Sequence, residues 1–122
     1  MDCREVTVRA ATPGEYTTVR SICNAAMLDV EEGLLRRSSV LVAESEGRVL
    51  GALALRGPEI EAVAVRPGRR GQGIGRALVE EAAQRRPFIT AGFDPGVRPF
   101  YMSLGFEIRC SDGRCQGYLY TF

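Results

Sequence analysis

Residues Val63 to Leu78 read VAVRPGRRGQGIGRAL, and the rest of the chain is organised around this stretch. Valines separated by alanine have the composition of a strand, Pro67-Gly68 turns the chain, and apolar residues at helical spacing follow Gly73. The result is strand, glycine loop, helix. Successive glycines let the backbone approach an anion closely, and the first amides of a helix point outward with its dipole behind them. Such a loop holds phosphate. A P-loop needs a lysine and then Ser or Thr after its last glycine, whereas Gly73 is followed by Ile74 and Gly75. The dinucleotide fingerprint GxGxxG finds Arg76 where its third glycine belongs, and no parallel βαβ pattern precedes it. What remains is R-x-x-G-x-G, matched by Arg70-Gly71-Gln72-Gly73-Ile74-Gly75.

Upstream, three strand-like segments, Ser39–Ser45, Arg48–Arg56 and Glu59–Arg66, are joined by the turn pairs Glu46-Gly47 and Gly57-Pro58, which predicts an antiparallel meander. Earlier still, Glu5–Ala10 alternates apolar and polar residues as a half-buried strand does. Thr12, Pro13 and Glu15 then supply a cap, a first helical residue and a capping box. Tyr16, Val19, Ile22, Cys23, Ala26 and Met27 recur at helical spacing and define one buried face. Gly33 marks a break, and Leu34–Ser38 a second short helical piece. Downstream, a helix from about Gly73 to Arg86 turns Ile74, Ala77, Leu78 and Ala82 inward and stops before Pro87. Phe88–Phe93 is a strand. Asp94-Pro95 opens a short helix through Ser103, distorted in its first turn by Pro99, and Phe106–Cys110 and Gly117–Phe122 are the last strands. This order predicts an α/β fold with a mixed, mostly antiparallel sheet flanked by helices.

The chain has 122 residues, 45% hydrophobic and 25% charged, which suits one compact domain and excludes wholesale disorder. Net charge is +1 and no block of like charge suggests a nucleic-acid arm or a membrane anchor. No apolar run approaches the ~20 residues of a membrane helix, and MDCREVTVRA lacks a secretory apolar stretch, so a soluble, cytoplasmic domain is expected. Histidine is absent, so acid–base chemistry must use carboxylates, tyrosine, cysteine, water or backbone. Cys3, Cys23, Cys110 and Cys115 have no zinc spacing and no metal is expected. Cys110 and Cys115 flank the turn-like SDGR, where a disulfide can form, although reduced thiols are the default inside cells.

The loop R-x-x-G-x-G resembles the pyrophosphate loop of the GNAT superfamily, the acyl-coenzyme-A-dependent N-acetyltransferases. The preceding AVRPG and the later Phe100-Tyr101-Met102-Ser103-Leu104-Gly105-Phe106, similar to the family's FYxxLGF signature, support the resemblance, as does the element order. It extends over nearly the whole chain, so residues 1–122 are read as a single GNAT-like acetyltransferase domain with acetyl-CoA as co-substrate. The resemblance implies that amides from Arg70 to Arg76 receive the pyrophosphate, with charge from Arg70 and Arg76. It also implies that Val63, Ala64 and Val65 run beside the pantetheine arm. A splay between their strand and Phe88–Phe93 admits the thioester, whose carbonyl an amide near Val63 polarises. Asp94 stands where many relatives carry asparagine, a position that helix capping explains equally well.

Tyr101 matches the tyrosine that many relatives use as general acid toward the leaving thiolate; the alternative is an interior tyrosine on a core helix face. For the base, Glu59 and Glu61 lie two apart on one strand and are expected on the same face; the alternative is that both face solvent. Cys23 and Cys110 have no neighbour in sequence that would activate a thiol. The expected activity is direct acetyl transfer from acetyl-CoA to a primary amine, on a small molecule or a peptide N-terminus, in a ternary complex. A non-catalytic acyl-CoA-binding or sensing module of the same fold is the alternative, and a small oligomeric scaffold with a merely structural glycine loop is a third reading. An exposed final strand is expected to allow a homodimer by strand pairing.

Overall fold

Three tight turns set the sheet. Glu46 and Gly47 take φ of 55° and 80°, and Asp112 and Gly113 take 53° and 77°. Two left-handed residues in succession give the turn whose twist matches that of paired strands. Gly57, at φ 54°, turns the chain at Gly57-Pro58. The computed structural model describes residues 6–121. Its strands are β1 (Thr7–Ala10), β2 (Ser39–Ser45), β3 (Arg48–Arg56), β4 (Glu59–Val65), β5 (Phe88–Phe93), β6 (Glu107–Ser111) and β7 (Arg114–Tyr120). Its α-helices are α1 (Tyr16–Ala25), α2 (Glu32–Arg36), α3 (Ile74–Gln84) and α4 (Arg98–Ser103), with single 3-10 turns at Pro13–Glu15, Pro67–Arg69 and Pro95–Val97. The strands form one sheet in the order β1-β2-β3-β4-β5-β7-β6. Only β4 and β5 pair in parallel. The mixed, mostly antiparallel architecture is the one read from the sequence.

Two apolar layers hold the sheet. On one side α3 packs Ile74, Leu78, Val79 and Ala82 against Leu41, Leu53, Leu55, Ile89 and Phe93. On the other, Val19, Ile22 and Cys23 of α1 and Leu35 of α2 pack on Val40, Val42, Ala52, Ala54, Ala62 and Ala64. Small side chains dominate the sheet's contribution to that second layer, and Gly51 lets α3 approach closely from the first. A Cβ at Gly51 would lie 3.0 Å from the Ala64 carbonyl oxygen and 3.1 Å from Ile74.

The capping box at Thr12 forms as expected. The Thr12 N–H donates to Glu15 Oε1 at 3.0 Å, and Arg9 bonds both Glu15, at 2.8 Å, and Glu44, at 2.7 Å. Four expectations are corrected. Met27 is not part of the buried face: it is 92% exposed, because α1 ends at Ala25 and Met27 takes a left-handed φ of 64° that lets Leu28 N–H close on the Cys23 carbonyl. Gly33 does not break a helix but lies inside α2. β7 begins at Arg114 rather than Gly117, since a two-residue turn sets Ser111 opposite Arg114 at once. The final strand is not an edge: β7 is enclosed by β5 and β6, and the edges are β1 and β6. Glu5 and Phe122, expected strand ends, lie outside the described residues, as does Cys3.

Candidate functional site

The parallel pair β4–β5 is joined only at Glu59 opposite Thr90 and Ile60 opposite Ala91. Beyond these the two strands part, and a cleft of about 750 Å³ opens between Ala62–Val65 on one wall and Gly92–Asp94 on the other. The side facing the gap follows from the ladder. Arg66 N–H donates to the Leu50 carbonyl at 2.8 Å, so alternation along an antiparallel pair makes Ala52–Ala64 hydrogen-bonded and Leu53–Val63 and Gly51–Val65 not. Val63 and Val65 therefore turn their N–H and C=O groups away from β3, toward the cleft. One of these groups is occupied: Arg70 Nε donates to the Val65 carbonyl at 3.2 Å.

A bulge lies where the strands begin to part. Leu55 faces Ile60 while Ala54 faces Ala62, leaving Glu61 as an extra residue in β4. Ile60 joins the layer under α3 and Ala62 the layer under α1, so the alternation of faces is broken there. This corrects the expectation that Glu59 and Glu61 share a face, which relied on an unbroken period of two. Glu61 lines the cleft; Glu59 does not, and sits half-buried beside Arg56 at the turn.

The glycine loop forms one end of the cleft. Gly71 and Gly73 take φ of 78° and 85°, and no atom lies within 4 Å of where either Cβ would be. Gly73 caps α3 without a side-chain hydrogen bond, so the first-turn amides of Ile74, Gly75 and Arg76 have no capping side chain. A Cβ at Gly75 would lie 3.4 Å from the Phe100 ring. Val63, Ala64, Val65, Arg70, Gly71, Gly73, Ile74, Gly75, Arg76 and Asp94 all line the cleft, whereas Gln72 does not. Arg76 is committed elsewhere: its guanidinium bonds the Ser103 carbonyl at 3.0 Å and Glu80 at 3.3 Å, tying α3 to α4.

Tyr101 also lines the cleft. Its ring stacks on Phe93 at 4.3 Å and meets the edges of Phe100 and Phe106 at 5.0 and 5.1 Å. α4 ends just after it, with Leu104 and Phe106 N–H groups both closing on the Tyr101 carbonyl and Gly105 at φ 93°. This is the structural content of the LGF triplet. The Tyr101 hydroxyl has no hydrogen-bond partner among the described residues, and burial pushes its phenol up to about 12. At neutral pH the hydroxyl therefore keeps its proton. Cys23, by contrast, is buried beneath α1, away from the cleft, and its thiol is pushed up to about 11 by burial.

Three further charged side chains line the cleft: Glu61, Asp94 and, unforeseen from sequence, Arg114. Arg114 Nη1 lies 3.5 Å from Asp94 Oδ1. Cys110 and Cys115, directly opposed across the β6–β7 hairpin, are joined by a disulfide beside Arg114, which departs from the reduced default. No cluster of three or more potential metal ligands occurs among the described residues. No helix there is long and apolar enough to cross a membrane.

Comparison with known proteins identifies the family. A family model described as an acetyltransferase (GNAT) domain matches residues 36–108. The chain belongs to the GNAT family. No curated protein sequence matches it. Among solved structures, Rv2747 from Mycobacterium tuberculosis, in complex with CoA, superposes with a TM-score of 0.80 at 18% identity, covering 95% of this chain and 99% of that one. YncA from Salmonella typhimurium, solved with its cofactor acetyl-CoA, gives 0.76 at 20% identity, covering 97% and 95%. The ribosomal-protein-S18-alanine N-acetyltransferase from Escherichia coli gives 0.77 at 18%, covering 96% and 94%. At these identities the likeness is one of fold. The GNAT match includes β4, the loop, α3 and Tyr101; Arg114 lies beyond it. Phe93, which stacks on Tyr101, carried only a strand signal in sequence, whereas Phe100 stands in the FYxxLGF resemblance; the SDGR hairpin was expected to help shape the acceptor pocket, but nothing in it singles out Arg114.

Proposed function

We propose that this GNAT domain, spanning residues 1–122, transfers an acetyl group from acetyl-CoA to a primary amine of a small molecule or a peptide N-terminus, by direct transfer in a ternary complex. One observation carries the reading: β4 and β5 part after a single short pairing, and the main-chain groups of Val63 and Val65 face the gap beside a tyrosine hydroxyl that has no hydrogen-bond partner among the described residues. A coenzyme with an extended amide-containing arm fits such a gap, because it can add to β4 as a strand would. Its pyrophosphate fits the loop, where left-handed Gly71 and Gly73 and the first amides of α3 leave open space for an anion.

Acetyl-CoA, as co-substrate, supplies the activated acyl group. The Val63 N–H is placed to polarise the acyl carbonyl and hold the negative charge that develops on its oxygen. Glu61, at the mouth, takes a proton from the incoming ammonium, directly or through water; Glu59, away from the cleft, is the weaker candidate for that role. Tyr101 gives its proton to the departing sulfur. Arg70 reads as the loop's phosphate-facing cation, while Arg76 acts by holding α4 in place. Asp94 takes its place in the acceptor mouth rather than on the coenzyme. The enzyme is read as cytoplasmic, and a homodimer formed through strand pairing would use an edge strand, β6 or β1.

The test is thermal unfolding with and without acetyl-CoA, with ATP and NADH as controls. A ligand at a hundredfold over its dissociation constant adds ~2.7 kcal/mol to stability. A rise in midpoint for acetyl-CoA alone, followed by thiol release on adding amines, is the expected result. A rise without turnover of any amine points to the acyl-CoA-sensing alternative. No rise in a folded sample overturns the reading.

A further inference from the structure

We propose that Arg114 selects the acceptor, and that the acceptor is an amine that also carries a carboxylate, as a free amino acid does. The inference rests on the acetyl-transfer reading above. It starts from the position of Arg114, the first residue of β7, on the cleft wall. The guanidinium lies over β5 at Gly92: a Cβ there would come within 3.7 Å of Arg114 Nη2 and 3.4 Å of Gln116 Oε1. The absent side chain lets the arginine lie close to the strand. Its hairpin is pinned, since Cys115 is buried opposite Phe93 and bonded to Cys110.

The guanidinium is weakly engaged. Its one ion pair among the described residues is the 3.5 Å approach to Asp94, through a single nitrogen, with side chains 63% and 80% exposed. Exposed pairs of this kind contribute little, whereas a carboxylate gripped by two guanidinium nitrogens gains both strength and geometry. Across the gap stands Glu61, on the bulge of β4. The mouth thus offers an anion on one wall and a cation with spare donors on the other. An amino acid matches both. A diamine matches less well, because its second ammonium would stand against the like charge of Arg114, whose ion pair with Asp94 it would have to break.

Matched pairs differing by one carboxylate test the idea: leucine with 3-methylbutylamine, phenylalanine with 2-phenylethylamine, and so on through the common amino acids, with putrescine and a short peptide added. Thiol release from acetyl-CoA is followed with the wild type, R114Q and R114K, and acetyl-CoA binding by each is checked by thermal shift. In the best pair the carboxylate member is favoured by at least about tenfold in kcat/KM. R114Q raises KM for that member by about tenfold or more with little change in kcat, leaves its decarboxylated partner unchanged, and R114K restores part of the loss. Equal use of both members, preference for putrescine or the peptide, equal slowing of both by R114Q, or acetyl-CoA binding with no turnover of any amine each overturns the proposal. Failure of the wild type to bind acetyl-CoA overturns the transfer reading itself, and is distinguished by the thermal shift.

Discussion

Replacing Tyr101 by phenylalanine separates its two possible roles by the sign of two measurements. The residue is 5% exposed and caged by Phe93, Phe100 and Phe106, so as an interior residue it works through its ring. Tyr101→Phe keeps every ring contact and removes a hydroxyl with no hydrogen-bond partner among the described residues, which leaves stability unchanged or raises it by up to about 1 kcal/mol. Unfolding entropy of about 2.1 cal/mol/K per residue, over 122 residues, converts 1 kcal/mol to about 4 °C. The expected midpoint change is therefore from zero to about +4 °C. Tyr101→Ala removes the ring and costs about 3–5 kcal/mol, or roughly 12–20 °C. If the hydroxyl is the proton donor, Tyr101→Phe lowers kcat by about 10²–10⁴-fold while the acetyl-CoA thermal shift persists. Its proton is held up to about 12, so wild-type kcat shows no descending limb from this group below about pH 10. Melting curves and thiol-release kinetics decide. A loss of more than about 4 °C in Tyr101→Phe would mean that the hydroxyl is bonded in the core, and an unchanged kcat would remove it from the chemistry.

Three further outcomes are expected. Gly73→Ala forces a side chain into φ 85° with no steric neighbour, so it costs only the left-handed strain of about 1–2 kcal/mol; the midpoint falls by about 4–8 °C and the acetyl-CoA shift shrinks, and an unchanged midpoint would contradict the loop conformation. Reducing the Cys110–Cys115 bond opens a ring with a sequence separation of 5, worth about 2 kcal/mol of chain entropy. Melting with and without reductant should differ by about 8 °C, with C110S/C115S insensitive to reductant, and equal curves for the wild type would show that the bond does not hold in solution. Glu15 is held down to about 2 by its bonds to Arg9 and Thr12. A depressed folded value contributes stability that is complete above the ordinary value near 4.5 and is lost as pH falls toward 2. Glu15→Gln should therefore flatten the acid limb of stability in that window, and an identical limb in both proteins would remove the pair as its cause.

Most of the fold was legible because its determinants are local. Turn pairs such as Glu46-Gly47 demand left-handed backbone, and alternation in β2 to β4 follows from one sheet face meeting α3 and the other α1. The errors also have local causes. Met27 continues a helical spacing that the backbone abandons one residue earlier, because a left-handed residue there satisfies the last carbonyls of α1. The SDGR hairpin was recognisable, but Arg114 as the start of β7 depended on a turn of only two residues.

The sequence by itself determined the loop and its neighbours, since glycine conformation and helix-start amides are properties of consecutive residues. Only the tertiary structure decided which carboxylate enters the cleft. The Glu61 bulge exists because β4 must be one residue longer than β3 between Ile60 and Ala62, a matter of pairing with a distant strand. Only the sheet order brings β7 beside β5, and with it Arg114 to the mouth. Residues whose partners are near in the chain can be read from the chain; a site assembled across diverging strands depends on contacts that no local window contains.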